Sequence, residues 1–475
     1  MDILLVLYCL LLLTSSTYLW LKLRRNSWSI ELLFLLLTVV FYVFIPINII
    51  IFGHEIYEPS IESYMVPASR FVTFSSFFIT LSFIISFILG CALKGSSLKS
   101  IKIYIHRFRF NNISFYKALS YFLSFFSLTS LIVFIQQFGG FSSFVTNLQL
   151  NRAGILDQDL VGRYTFFGNF IYLAIIPVVY FLYENRRTKM ELFFLLLVPV
   201  FVILLGILFI STAKIKLVIL VLLFYFTWSI RKNKLYLCYL CLISVVVFFA
   251  LPILDEIFVL AIKVFKDEGI LAVPFRIAYA LISGSLGQGQ YEEFLKDNSQ
   301  NLYLKSLGYF TYIQMSLQLS IDTSYPLLFF KDILTGVTKL LPSRLNIQPG
   351  LEVQQLNTSI FYGYYPIFPN FSAGVPPGII GFGMYSLSVP GVIMLGFTLG
   401  YVFRTIDLFF KSLVKVDMRF SSFYAYIICT LGFYSMPGIP KEAIYDYAFL
   451  TFLLMFLVVS FKFESLNSEG IRQEN

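Results

Sequence analysis

Charged residues are scarce in this chain. Asp, Glu, Lys and Arg make up 13% of its 475 residues, while 58% are apolar and the mean hydropathy is +0.81. A soluble protein carries roughly 25% charged residues, and half that density does not cover the surface of a globule unless lipid covers the rest. The composition therefore excludes a set of soluble domains. It predicts one polytopic, all-α membrane domain over residues 1–475.

Motifs for nucleotide and metal chemistry are also missing. The chain contains no G-x-x-x-x-G-K-[ST] loop, no Rossmann glycine pattern and no H-E-x-x-H, and its only histidines are His54 and His106. The five cysteines fall within or beside apolar runs, which argues against an external disulfide framework or a zinc cluster. The C-x-x-C of Cys238 and Cys241 has a simpler interpretation as small residues buried in lipid. ATP hydrolysis and zinc catalysis are therefore not predicted.

Long apolar runs take the place of these motifs. A bilayer core of about 30 Å needs about 20 apolar residues in helical form. The sequence predicts about eleven transmembrane helices, the seventh of them short enough to be tilted or re-entrant. The runs cover residues 3–20, 29–52, 71–93, 115–138, 165–183, 191–212, 217–230, 235–253, 378–403, 420–437 and 447–463.

Basic residues collect in alternate short loops, which indicates that those loops face the cytoplasm. This pattern places the N-terminus outside and the tail after residue 464 inside. The first apolar run has no basic residues before it, so we expect it to remain as a helix and not to be cleaved as a signal peptide. The net charge of +9 is then a result of topology and indicates no nucleic-acid partner. The basic loops are 22–25, 94–109, 186–189, 231–234 and 404–419.

Three predicted outer segments are longer or more basic than plain connectors. They are residues 139–164, the tight turn 211–216 and a large extracytoplasmic loop at 254–374. Segments of this kind commonly carry function. Within the large loop, the semi-apolar stretches 269–286 and 302–319 are typical of helices lying on the membrane surface. If they cross the bilayer as a pair instead, the number of spans rises to thirteen and no other orientation changes.

Lysine and arginine are unusually frequent on the predicted outer face, where topology gives them no role. Fourteen of the 35 basic residues fall there. Guanidinium groups bind phosphate oxygens two at a time, and a site half covered by lipid strengthens the attraction. Each cation also has a simpler interpretation as the partner of a nearby acid, for example Asp157 or Asp159. The candidate anion-binding residues are Arg152, Arg163, Lys214, Lys216, Arg276 and Arg344.

Amide and aromatic side chains accompany these cations in the large loop. Gln354, Gln355, Asn357 and Tyr364 offer the hydrogen-bonding forks and flat rings that bind sugars. Aromatic residues are also common at the lipid interface, so this signal alone is weak.

Several short motifs follow the order found in a known family. The chain resembles the O-antigen polymerases of bacterial envelopes, the Wzy-type oligosaccharide repeat unit polymerases, and the likeness spans residues 130–405. Topology and motif order carry it more than identity. The family often has an acidic residue before the glycine-rich helix, whereas residues 372–374 of this chain have none. The motifs are Arg152 with Arg163-Tyr164, Phe209–Lys214, Leu340–Ser343, Pro369–Gly374 and Gly378–Gly383.

The resemblance implies a metal-independent glycosyltransferase of the C-type architecture in the bacterial cytoplasmic (inner) membrane, with no cofactor. Such an enzyme transfers a growing O-antigen or capsule glycan from undecaprenyl pyrophosphate to the next lipid-linked repeat unit. Its partners would be the lipid-linked oligosaccharide, the bilayer, and the flippase and chain-length regulator of the same pathway.

This reaction assigns roles to the candidate residues. Fixed cations stabilise the departing pyrophosphate, and Arg163 is the catalytic candidate among them. A carboxylate must accept the proton of the attacking hydroxyl, and Glu352, flanked by amide side chains, is the first choice. For any single acid, a solvated loop residue is the simpler interpretation. The other candidate bases are Glu292, Glu293, Asp322 and Asp332.

Two other functions fit the composition less well. A flippase or other transporter usually shows pseudo-symmetric halves and ionisable residues at mid-bilayer depth, and neither is visible. An O-antigen ligase shares the lipid-linked donor, but that family has a histidine in its large outer loop and residues 254–374 contain none. A purely structural membrane protein leaves the external basic residues unexplained.

The paired substitution of Arg152→Ala with Arg163→Ala tests the phosphate interpretation. We expect loss of polymer, because both guanidinium groups are predicted to hold the pyrophosphate of the lipid-linked glycan. A gel of surface polysaccharide measures this, with a membrane immunoblot to show that the protein is present. Unchanged polymer would remove these arginines from the site.

Overall fold

The part of the chain that this computed structural model describes is mostly helical, and no strand occurs there. The all-α prediction is therefore confirmed for those residues. They are 2–25, 28–52, 68–93, 113–137, 139–140, 170–183, 188–209, 213–234, 236, 238–246, 260, 264, 268, 272, 275–279, 302–338, 351–367, 374–416, 418–440 and 444.

The helices are numbered in chain order. Two of them contain a π-helical segment, at Val40–Phe44 in α2 and at Leu192–Leu197 in α6. The bounds are α1 Asp2–Arg25, α2 Ile30–Phe52, α3 Phe74–Ala92, α4 Ile113–Gln137, α5 Ile175–Tyr183, α6 Lys189–Glu191 continuing to Val198–Phe209, α7 Ala213–Lys232, α8 Leu302–Asp322, α9 Lys331–Thr338, α10 Val353–Phe361, α11 Ile379–Val416 and α12 Ser421–Tyr434.

Six helices in the described ranges are long and apolar enough to cross a membrane. The protein is therefore a membrane-embedded helical protein, and the count of eleven spans stays a prediction. Helix α7 covers 20 residues and is longer than the short run predicted there, whereas the last predicted run at 447–463 lies outside the described residues. The six spans are Ile3–Leu23, Ile30–Phe52, Phe74–Ala92, Lys117–Gln137, Lys189–Gly206 and Ile379–Lys415.

The prediction of a helix at residues 302–319 is confirmed by α8. This helix packs against α2, α10 and α11, and its polar residues Gln314 and Ser316 are fully buried along with Leu307 and Leu317. Its burial within the protein was not expected from its mixed sequence, which predicts one face in water. Whether α8 lies at the membrane surface stays a prediction.

Helix α11 is broken near its start, a feature that the apolar run did not predict. Leu387 and Ser388 have non-helical backbone angles, and Ser388 is left-handed with a φ of 58°. Pro390 follows two residues later and cannot donate the hydrogen bond that a continuous helix requires. The run predicted as one span at 378–403 is therefore a short helix over residues 379–386 followed by a long one over 389–416.

The two parts of α11 fold back on each other at this break. A Cβ atom placed on Gly383 would lie 2.9 Å from the Cα atom of Val392, although nine residues of straight helix span about 13.5 Å. The break leaves backbone carbonyls without helical N–H partners. The segment between α8 and α9, residues 323–330, supplies N–H groups that bind them. The N–H of Leu328 donates to the Tyr385 carbonyl at 3.0 Å, and the N–H of Phe329 donates to the Ser386 carbonyl at 2.9 Å.

The long part of α11 packs closely along α3 through small residues. A Cβ atom on Gly396 would lie 2.9 Å from the carbonyl oxygen of Phe83, and one on Gly400 would lie 3.0 Å from the backbone nitrogen of Cys91. Gly90 makes the matching approach from α3. This is the small-x-x-x-small arrangement with which membrane helices gain van der Waals contact.

Helix α11 also carries charge into the core. The prediction ends this span at residue 403, but the helix continues to Val416. The fully buried carboxylate of Asp407 accepts hydrogen bonds from the N–H of Ile30 at 2.8 Å and from the hydroxyl of Tyr424 at 2.7 Å. Asp407 thus caps the N-terminus of α2 and joins it to α11 and α12.

A second buried carboxylate completes this junction. Glu31 lies in the first turn of α2 and pairs with Lys22 of α1 at 3.8 Å and with Arg404 of α11 at 3.3 Å. Ion pairs and the Tyr424 hydrogen bond therefore join α1, α2, α11 and α12 at the end of the bundle that the positive-inside pattern predicts to be cytoplasmic.

Substituting Gly400 tests the packing of α11 on α3. We expect Gly400→Val to lower stability by about 1–3 kcal/mol, because the added methyl groups overpack the contact. The measurement is the melting temperature of the purified protein in detergent. Val402→Leu is the matched control, since Val402 lies on the exposed side of the same helix. A Gly400→Val protein with the same melting temperature as the wild type would contradict the close packing.

Candidate functional site

The predicted site residues divide into three groups in the structure. Arg152, Arg163, Arg344, Glu292 and Glu293 lie outside the described residues, so their roles stay predictions. Lys214 and Lys216 lie in the first turn of α7, which begins at Ala213 within the predicted turn 211–216. The described side chains are Arg276, Glu352 and Tyr364, together with the alternative bases Asp322 and Asp332.

Arg276 is held by an acid of its own chain. Its guanidinium forms two bonds with the Glu268 carboxylate, Nε to Oε2 at 2.9 Å and Nη2 to Oε1 at 2.8 Å. The hydrogen bond to Glu268, together with its charge, raises the pKa of Arg276. This is the acid-pairing interpretation that the sequence left open. Glu268 therefore occupies one edge of the guanidinium and offsets its charge toward a phosphate.

Glu352 stands immediately before α10. It has an extended backbone, and its N–H donates to Oε1 of Gln355 at 3.4 Å, which is one half of a capping box. The helix follows because Val353, Leu356 and Ile360 recur on one face and are buried. The Glu352 side chain itself is half-buried. It therefore stays accessible at the exposed end of a helix that is anchored in the core.

Asp332 approaches the same helix end from α9. Its side chain is 3% exposed, and Oδ2 accepts a hydrogen bond from the N–H of Val353 at 3.1 Å. A helix N-terminus has unpaired N–H groups and a partial positive charge, so a carboxylate is favoured there. Two of the five candidate bases, Glu352 and Asp332, are thereby brought to one helix end. Twenty residues separate them in sequence, and no local pattern signals the pairing.

Asn357 is not placed to bind a sugar. It is fully buried, its Nδ2 donates to Ser316 Oγ at 3.1 Å and to the Val375 carbonyl at 2.9 Å, and its Oδ1 accepts from the Tyr385 hydroxyl at 2.9 Å. The sequence interpretation of Asn357 as a sugar ligand is therefore wrong for this structure. The Gln354 side chain also binds backbone, since its Nε2 donates to the Gly374 carbonyl at 3.2 Å.

These amides secure the segment that leads into α11. The Val375 N–H donates to Thr358 Oγ1 at 2.8 Å, and Ser316 Oγ donates to the Pro376 carbonyl at 3.3 Å. Residues 374–376 are thus bound on one side by α10 and on the other by α8. Backbone groups buried without water need such partners. The sequence predicts polar residues here but cannot show that they face inward.

Tyr364 lies at the opposite end of α10 from Glu352. It is 51% exposed, and its N–H donates to the Ser359 carbonyl at 2.7 Å. The nine residues of α10 place about 13.5 Å between its two ends. The side chains of Glu352 and Tyr364 are therefore too far apart for a single sugar ring to reach both.

Asp322 is held at the C-terminal end of α8. Both of its carboxylate oxygens accept from Gln318 Nε2, at 2.8 and 2.9 Å. The same amide accepts from Thr73 Oγ1 at 2.9 Å, which ties α8 to the start of α3. This acid has a clear structural role, so Glu352 and Asp332 are the better placed carboxylates in the described part of the large loop.

Comparison with protein-family models, with curated proteins and with solved structures found no match to the chain. A proposal for its function therefore rests on the chemistry of its own residues and on the resemblance in motif order.

The Tyr385 hydroxyl tests the buried amide network. We expect Tyr385→Phe to lower stability by about 1–3 kcal/mol, because it leaves the buried Oδ1 of Asn357 without this donor. Tyr401→Phe removes a hydroxyl from an exposed ring of α11 and is the matched control. Thermal unfolding in detergent measures both variants, and equal melting temperatures for the two would contradict the network.

Proposed function

We propose that this protein is a repeat-unit polymerase, a glycosyltransferase that joins lipid-linked oligosaccharides on the outer face of the bacterial cytoplasmic membrane. The observation that carries the proposal is the pair of carboxylates at the N-terminus of α10, in the large loop that the positive-inside pattern places outside the cell. The motif order shared with O-antigen polymerases supports the same function.

The reaction joins two membrane-bound substrates. A hydroxyl of one lipid-linked repeat unit attacks the anomeric carbon of the growing glycan on undecaprenyl pyrophosphate. The new bond forms between the hydroxyl oxygen and that carbon, while the bond from the carbon to the phosphate oxygen breaks. The hydroxyl proton passes to a carboxylate, and undecaprenyl pyrophosphate leaves as the anion. The donor is already activated, so the step consumes no nucleotide.

Glu352 is the base in this proposal. It is half-buried at the free end of an anchored helix, which gives a carboxylate both access and a fixed position. General bases of this kind contribute about 10²–10⁴-fold to rate. Tyr364, at the far end of α10, binds a different sugar of the same glycan.

Cations stabilise the leaving pyrophosphate. We assign this role to Arg163 and Arg152 of the 139–164 segment, with Lys214 and Lys216 at the start of α7 and Arg344 of the large loop as further phosphate contacts. Arg276 is the weakest member of this set because Glu268 already occupies its guanidinium.

A transporter of the same lipid-linked glycan is the second candidate, and the break in α11 is the observation that favours it. Interrupted helices often form the substrate sites of transporters, with the N-terminus of a half-helix directed at an anionic group. At the start of the first half-helix of α11 these donors are already used. The N–H groups of Gly378 and Ile379 donate to the carbonyls of Pro437 and Met436, and that of Ile380 donates to the Tyr42 hydroxyl at 3.3 Å.

Deleting the gene tests the proposal and separates the candidates. For a polymerase, we expect lipid A that carries single repeat units in place of the polymer ladder, because export and attachment continue. Loss of a transporter or a ligase removes even the single units. A gel of surface polysaccharide reads all three outcomes, and an intact ladder would contradict the proposal.

Complementing the deletion tests the role of Glu352. We expect Glu352→Gln to leave single units only, since an amide cannot accept the hydroxyl proton. Glu184→Gln, in a predicted cytoplasmic loop, is the matched control and should restore the ladder. A full ladder from Glu352→Gln would remove this residue from the catalytic role.

A further inference from the structure

We propose that Asp332 is a positioning residue that sets the location of Glu352 through the N-terminus of α10, and that the break in α11 builds this arrangement. The inference rests on the proposed function, since it concerns the carboxylate assigned as the base. Asp332 acts without touching the substrate.

The contact itself is short and buried. Asp332 Oδ2 accepts the Val353 N–H at 3.1 Å, and Val353 is the residue that follows Glu352. Val353 is fully buried and Asp332 is 3% exposed. This hydrogen bond therefore fixes the peptide unit from which the Glu352 side chain extends. Its loss would remove one of the bonds that fix the end of α10 that carries Glu352.

A left-handed turn directs Asp332 to that position. Phe329 and Phe330 have φ values of 45° and 54°, a conformation that is uncommon for large side chains. The turn is held because the N–H groups of Leu328 and Phe329 bind the carbonyls of Tyr385 and Ser386 at the break in α11. Helix α9 begins immediately afterwards at Lys331, with Asp332 in its first turn.

Tyr385 links both sides of the site. Its carbonyl accepts the Leu328 N–H at 3.0 Å, on the side of α9, and its hydroxyl donates to Asn357 at 2.9 Å, within α10. The ring also packs on Tyr325, with centroids 4.6 Å apart. A continuous helix would use the Tyr385 carbonyl internally. The break thus supplies the acceptor from which α9 and Asp332 are positioned relative to α10.

Three variants test the positioning role in proteoliposomes. The substrate is the undecaprenyl-pyrophosphate-linked repeat unit extracted from the deletion strain, and the readouts are kcat and KM for polymer formation. We expect Asp332→Ala to lower kcat about 10²-fold, as a displaced catalytic group does, with KM within about twofold because Tyr364 and the cations are untouched. Asp332→Asn keeps an acceptor oxygen and should stay within about fivefold of the wild-type kcat.

Val353→Pro removes the donor in place of the acceptor. Proline is tolerated at the first helical position, and the extended backbone of Glu352 suits a residue before proline. We expect the same loss of kcat as in Asp332→Ala, and no further loss when the two are combined, because both delete one hydrogen bond. If Asp332→Ala does not fold, Val353→Pro still tests whether this hydrogen bond affects kcat.

The outcomes separate this inference from the proposed function. Wild-type protein that makes no polymer overturns the proposed function and with it this inference. Wild-type polymer together with an unchanged kcat in Asp332→Ala or Val353→Pro overturns the positioning role alone. An Asp332→Asn protein as slow as Asp332→Ala also overturns it, since the charge and not the hydrogen bond would then be what matters.

Discussion

A helix that breaks inside a membrane protein leaves backbone groups that water cannot satisfy, and in this molecule those groups organise the site. The carbonyls of Tyr385 and Ser386 lose their helical partners at the break in α11 and bind the connection before α9. Membrane structure permits irregular backbone only where other protein groups supply such bonds. Since this connection is fixed, α9 has a defined position relative to α11, and its Asp332 in turn contacts the N-terminus of α10.

The same requirement accounts for two other buried polar side chains. Asp407 occupies the N-terminus of α2, and Asn357 binds the backbone carbonyl of Val375. None of these groups is placed as a substrate ligand. They hold helices whose surfaces are otherwise apolar and which would slide against each other, because apolar contact alone gives little orientation within lipid. The position of the half-buried Glu352 depends on this framework.

Much of the architecture follows from composition and periodicity. Apolar runs predicted α1 to α4 within a few residues, because about 20 apolar residues in a row have few other stable environments. The break in α11 was not predicted, although Pro390 and the serines before it are a partial signal. Such residues also occur in continuous membrane helices, whose neighbours restore the missing bonds. Only the tertiary contact with Leu328 and Phe329 decides which outcome occurs.

The candidate site was predicted less completely than the fold. Glu352 was selected by its amide neighbours, and the structure places it at an accessible helix end. Asp332 was one acid among five, and its contact with Val353 depends on how α9 meets α10, which sequence spacing does not encode. Asn357 was misassigned because an amide in a polar stretch serves a sugar or a backbone equally well. Burial distinguishes the two roles, and burial of a loop residue is a tertiary property.

Reconstitution of the purified protein tests the central claim most directly. Proteoliposomes would receive undecaprenyl-pyrophosphate-linked repeat units with no sugar nucleotide, and the length of the lipid-linked glycan would be read on a gel. Wild-type protein should convert single units into a ladder, whereas Glu352→Gln protein should leave them as single units. Single units that persist with folded wild-type protein would contradict polymerisation, and a ladder from both proteins would contradict the role of Glu352.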